Sequence, residues 1–136
     1  MSCGCLGVLY KPHYKRRVDA IYPPNPSDEK LVSGEMDKLT YYTLQHPEKL
    51  DRIGNYLYNI LTDGLAKQQH GWVKVSIDAI VELLKPCHAQ RINLFISSYL
   101  KMCIELLDNG NNAFRLLGTN AFVQFRFLPF FTEQVC

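Results

Sequence analysis

With 136 residues, 47% of them hydrophobic, this chain has room for one packed domain and too much apolar content for disorder along its whole length. Its net charge of +2 hides an uneven distribution: Lys11, Lys15, Arg16 and Arg17 stand in residues 1–17 with no acid among them, and the remainder is slightly acidic. No apolar run approaches the roughly 20 residues needed to cross a bilayer, so any membrane contact is expected to be peripheral or lipid-anchored.

Residues 1–17 read as a flexible, acylatable, basic tail that anchors the chain to a membrane. Cys3 and Cys5 lie among small and apolar residues in Met1-Ser2-Cys3-Gly4-Cys5-Leu6, ahead of the four cations. Thiols so placed are what reversible S-palmitoylation uses. One acyl chain holds a protein only marginally, whereas a second chain or a basic patch makes the attachment durable. Against an anionic leaflet each of Lys11, Lys15, Arg16 and Arg17 adds about 1 kcal/mol. The competing reading is two incidental cysteines in a frayed end. Myristoylation would require Gly where Ser2 stands, and Cys136, as the last residue, does not fit a prenylation box. The odd count of five cysteines, without a secretory signal, points to a reducing, intracellular compartment.

Residues 18–32 contain Tyr22-Pro23-Pro24-Asn25-Pro26-Ser27-Asp28, which cannot be regular helix. They read as a Pro-rich linker. From residue 33 to 125 the apolar period is helical. Ser33 is expected to cap a helix carrying Met36, Leu39, Thr40 and Leu44. Pro47 suits the first turn of the next, whose stripe is Leu50, Ile53, Leu57, Ile60 and Leu61. Gly71 is expected to break the chain before a helix with Val73, Ile77, Ile80, Val81 and Leu84, ending near Pro86. A further helix carries Ile92, Phe95, Ile96, Tyr99, Leu100, Cys103 and Leu107 and stops at Asp108-Asn109-Gly110. The last begins near Asn112, with Phe114, Leu117, Ala121 and Phe122 as its buried side. Residues 126–136 form a divergent C-terminal tail in which Phe127, Leu128, Phe130 and Phe131 are expected to be a sticky apolar patch.

A repeat is visible in this pattern. Ile53-Gly54-Asn55-Tyr56-Leu57 aligns with Ile96-Ser97-Ser98-Tyr99-Leu100 at an offset of 43, and Val73, Ile80 and Val81 align with Phe114, Ala121 and Phe122 at 41. Helix pairs at periods of about 40–47 suit armadillo or HEAT repeats. The expected fold class is therefore all-α: the start of an armadillo/HEAT-like α-solenoid, about two helix pairs plus part of a third, preceded by the tail. A plain four- or five-helix bundle is the alternative.

No catalytic motif stands in the chain: there is no G-x-S-x-G elbow, no phosphate-cradling loop and no H-E-x-x-H. An enzyme is not expected, and no cofactor is implied. Cys3, Cys5 and His13, or Cys87-His88, lack the paired arms of a structural zinc site, so no metal is expected. The basic patch is short and the folded part slightly acidic, which argues against nucleic acid.

Several stretches together carry a family resemblance. They are the cysteine-bearing N-terminus, Tyr14-Lys15-Arg16-Arg17-Val18-Asp19, Ile21-Tyr22-Pro23, Met36-Asp37-Lys38-Leu39-Thr40-Tyr41-Tyr42, Pro47 to Leu57, Cys87-His88-Ala89-Gln90 and Leu117-Gly118-Thr119-Asn120-Ala121-Phe122-Val123. Over residues 1 to about 125 the chain resembles the N-terminus of the eighty-five-requiring-three family, called rolling blackout in flies. The resemblance implies a palmitoylated scaffold at the cytoplasmic face of the plasma membrane. Such a scaffold recruits type III alpha phosphatidylinositol 4-kinase through a tetratricopeptide scaffold protein and hyccin, sustaining phosphatidylinositol 4-phosphate synthesis. It also implies that the acylated cysteines are Cys3 and Cys5, and that Lys11, Lys15, Arg16 and Arg17 face anionic phospholipids. After Phe125 the chain departs from the family, which suits a truncated or alternative form lacking the regions that engage the partners. Such a form is not expected to pull down the scaffold or the kinase. The alternative function is a soluble helical interaction module or a non-functional product with no kinase recruitment.

Overall fold

The computed structural model describes residues 11–85 and 93–125. Cys3, Cys5, Ile92, the Cys87-His88 pair and the apolar residues of the C-terminal tail lie outside them. The described residues form six α-helices: α1 (His13–Asp19), α2 (Ser33–Gln45), α3 (Leu50–Ala66), α4 (His70–Leu84), α5 (Asn93–Leu107) and α6 (Asn112–Phe125). A short 3₁₀ turn, Pro47–Lys49, leads into α3, with proline where its missing N–H costs nothing. Among the described residues there is no strand, as the helical period requires.

The helices stack in two rows. α3 pairs with α4 and α5 with α6, while α3 lies on α5 and α4 on α6. The same layering continues towards the N-terminus, where α1 meets α3 and α2 meets α4. Helix hairpins stacked row upon row are the solenoid arrangement, and each pair buries an apolar side against its neighbour. Phe95, Tyr99 and Phe114 are the bulkiest fully buried side chains. His70, at the start of α4, stacks on Phe114 of α6 with ring centroids 4.3 Å apart.

The stripe expected on α3 is buried as read, with Ile60 half-buried. Elsewhere the structure corrects single positions. α2 begins at Ser33 itself, with Val32 at the cap and no side-chain cap bond. Its buried residues are Met36, Leu39 and Thr43, and Leu44 faces solvent. Thr43 is tolerated inside because its hydroxyl donates to the Thr40 carbonyl at 2.7 Å. In α5 the positions Met102 and Leu106 are buried and Leu107 is largely exposed; in α6 Phe122 is exposed.

The larger correction concerns residues 11–32. Those from Lys11 to Arg17 were expected in a flexible tail, but α1 packs on the core through Tyr14 and Val18. The following stretch was read as a linker, and it contributes Ile21, Tyr22 and Pro23 to the interior. Three prolines remove donors, yet their carbonyls remain acceptors. The Trp72 indole donates to the Pro23 carbonyl at 3.0 Å, and the Trp72 backbone N–H donates to Pro26 at 3.1 Å. Tyr22 and Ser76 hydroxyls meet at 2.6 Å, and the Tyr22 and Trp72 rings lie 5.3 Å apart. Gly71 therefore does not break the chain. It sits in the first turn of α4, buried where the Pro26–Asp28 backbone crosses.

Burial leaves an alkaline signature. The Cys103 thiol is pushed up to about 11 by burial, and burial likewise raises the Tyr22 and Tyr99 hydroxyls. In the unfolded chain these groups ionise near their ordinary values, 9.0 for the thiol and 10.0 for the phenols. The unfolded state thus sheds protons first as pH rises. Stability from these groups is complete below about pH 9 and is lost upwards from there, through 11 and beyond. Urea midpoints should hold steady around neutrality and fall steeply in the alkaline range; a flat alkaline profile would contradict the burial of these groups.

Candidate functional site

Helix α1 carries three of the cations singled out by the sequence, with Lys11 just ahead of it, and its packing divides them. Lys11 and Lys15 are four residues apart and face α3. The Lys15 ammonium stands 5.2 Å from the Tyr56 ring centroid, and that of Lys11 stands 5.9 Å away. Lys11 also forms an ion pair with Asp19, which holds its pKa above the usual lysine range. Asp19 in turn accepts from the Tyr56 hydroxyl at 2.7 Å. The charge of Lys11 is thus already offset within the fold.

On the other side, α1 meets α2. Arg17 donates from Nε to His13 Nε2 at 3.3 Å. The His13 ring lies 5.2 Å from that of Tyr42, which lies 4.8 Å from His46. Burial against this ladder, together with the nearby Arg17 and Arg16 charges, holds the His13 pKa below its ordinary value. His13 is thus a surface acceptor for Arg17 in the seam between α1 and α2. Arg16 is exposed. Among the described residues, no carboxylate lies within ion-pair distance of Lys15, Arg16 or Arg17. Of the four cations the sequence singles out, these three are open to an anionic partner.

Sequence reasoning missed that α1 is docked. A signal existed: Tyr14, Val18 and Ile21 recur at helical spacing, and Val18 and Ile21 are fully buried. It was obscured by the density of charge around them. Among the described residues there is no group of three or more metal-ligating side chains, and no helix is long and apolar enough to cross a membrane.

Stacked helix pairs with a docked basic helix describe an armadillo-type α-solenoid. Comparison with known proteins agrees. The family described as EFR3, armadillo repeat, matches residues 36–128. Protein EFR3 homolog B of Danio rerio is 49% identical over 123 residues, which is 90% of this chain and 15% of that protein. The Homo sapiens homolog B is 48% identical over the same length and the same shares of each chain. Protein EFR3 homolog of Caenorhabditis elegans is 40% identical over 126 residues, 92% of this chain and 15% of that one. No solved structure matches. The chain belongs to the EFR3 armadillo-repeat family, and it spans about 15% of the length of the curated relatives it matches.

Proposed function

We propose that this chain is the membrane-anchoring start of a peripheral plasma-membrane scaffold. Cys3 and Cys5 carry acyl chains, and the cations of α1 face the anionic lipids of the cytoplasmic leaflet. Such a scaffold, by the family resemblance, recruits type III alpha phosphatidylinositol 4-kinase through a tetratricopeptide protein and hyccin. The observation that carries the membrane half of this reading is the charge on α1. Lys15, Arg16 and Arg17 are unpaired with any acid among the described residues, on a helix packed against the core. Three such charges contribute roughly 3 kcal/mol at an anionic surface, which suffices as the second signal beside acylation. The recruiting half rests on membership of the family. Lys11 contributes less than its neighbours, because Asp19 shares its charge.

Fractionation of cells expressing the full chain against a Cys3→Ser/Cys5→Ser variant tests this. The parent is expected in the membrane fraction and most of the variant in the cytosol. A variant that stays at the membrane refutes acylation at these cysteines. A parent found entirely in the cytosol favours a soluble interaction module.

A further inference from the structure

Beside the basic helix, α2 turns an apolar pair to solvent. Tyr41 is 64% exposed and Leu44, one turn on, is 56% exposed. Neither the Tyr41 ring nor its hydroxyl has a partner among the described residues. Tyr41 and Arg17 line one open groove of about 370 Å³ between α1 and α2, together with Tyr42 and His46. Apolar side chains are exposed on α5 and α6 too, Ile104 and Phe122 among them, and what sets Tyr41 and Leu44 apart is the groove that Tyr41 shares with Arg17.

We infer that Tyr41 and Leu44 are an insertion contact for the interfacial layer of an anionic bilayer, set beside the Arg17 of the basic helix; this rests on the membrane reading above. A stable protein interface takes about 800 Å² and some 20 residues from each partner, far more than this pair supplies. A bilayer needs only a few side chains reaching its headgroup level, where tyrosine places an apolar ring and a wet hydroxyl to advantage. Charge points the same way. Arg16 and Arg17 have no carboxylate partner, and Lys38 in the groove is offset by Glu35 at 3.0 Å. Asp37 is the one acid lining the groove. The summed charge is positive, and Tyr41 stands where the attraction draws lipid in. The basic helix supplies a salt-sensitive pull, and Tyr41 with Leu44 supplies a salt-resistant hold.

The test uses the full chain, unacylated, and vesicles of phosphatidylcholine with or without phosphatidylserine. Binding is read by co-sedimentation across a salt series. Tyr41→Ala/Leu44→Ala is expected to bind the anionic vesicles about tenfold more weakly, to lose the residue that survives high salt, and to keep its helical circular dichroism. Tyr41→Trp is expected to shift its emission to the blue on binding. Arg16→Gln/Arg17→Gln tests the underlying reading separately. If it abolishes binding while the Tyr41/Leu44 variant binds like the parent at every salt concentration, the insertion contact is overturned and the lipid-facing helix stands. If the parent ignores anionic vesicles, both fall. A parent that dimerises without lipid, and becomes monomeric when Tyr41 and Leu44 are removed, also overturns it, because the face would then be an interface between copies.

Discussion

Gly71→Ala is expected to destabilise the fold by about 3 kcal/mol and to lower the melting temperature by roughly 10 °C. A Cβ there would fall 2.5 Å from the Pro26 carbonyl oxygen and closer still to that of Asp28. Both obstacles are backbone, so no side chain can swing aside. The Pro26 carbonyl is also the acceptor for the Trp72 N–H, and pushing it away breaks that bond. The damage should be local before it is global. Protease cleavage near Lys30 should appear in the variant below its melting point. Gly34→Ala is the control: this glycine lies exposed in α2 with nothing within 4 Å, and alanine there should leave stability unchanged or raise it by about 0.5–1 kcal/mol. Equal melting of Gly71→Ala and the parent would show that the crossing is not tight.

The second large effect is expected where the two helix pairs meet. Phe95 of α5 is fully buried, and its Cδ1 lies 3.0 Å from the place where a Cβ on Gly54 of α3 would stand. Phe95→Ala should cost about 3–5 kcal/mol through lost burial and the void left behind. Gly54→Ala alone gains helix propensity but presses on the Phe95 ring and on Ser98, so its net effect is a loss. In the Phe95→Ala background the ring is gone, and the added methyl fills part of the void. The two changes should therefore couple by at least about 0.5 kcal/mol in a double-mutant cycle read by urea denaturation. Additivity would mean that the approach of α3 to α5 is set by something other than this ring against this glycine.

What the sequence reveals of this fold follows from how local each signal is. The α3 stripe of Leu50, Ile53, Leu57, Ile60 and Leu61 is a pattern within one helix, and periodicity reads it directly. The repeat linking Ile53–Leu57 to Ile96–Leu100 is likewise legible, and the two helices that carry it lie against each other. Thr43 in place of Leu44 is not legible, because a hydroxyl bond to the Thr40 carbonyl removes the cost of burying a polar group and leaves no trace in an apolar pattern. The Pro-rich stretch misleads for a related reason. Proline excludes helix, but it says nothing about whether its carbonyl will meet Trp72 some 49 residues away. Gly71 reads as a chain break in the sequence, and only the backbone of Pro26–Asp28 beside it makes it a close crossing instead. For the site, the cations were legible as charge. Their division into a Tyr56 side and a His13 side was not, because it depends on the docking of α1.

The crossing of Pro23–Asp28 over α4 also has a mechanical meaning. A sideways pull entering the fold at Lys11 is passed through Lys11–Asp19 and Asp19–Tyr56 to α3, and through Tyr22–Ser76 and the two Trp72 bonds to α4. Drag applied at the basic helix therefore reaches both members of the first full helix pair as torque. Were α1 held against a surface, its packing on α3 would set the direction in which the stacked pairs leave it.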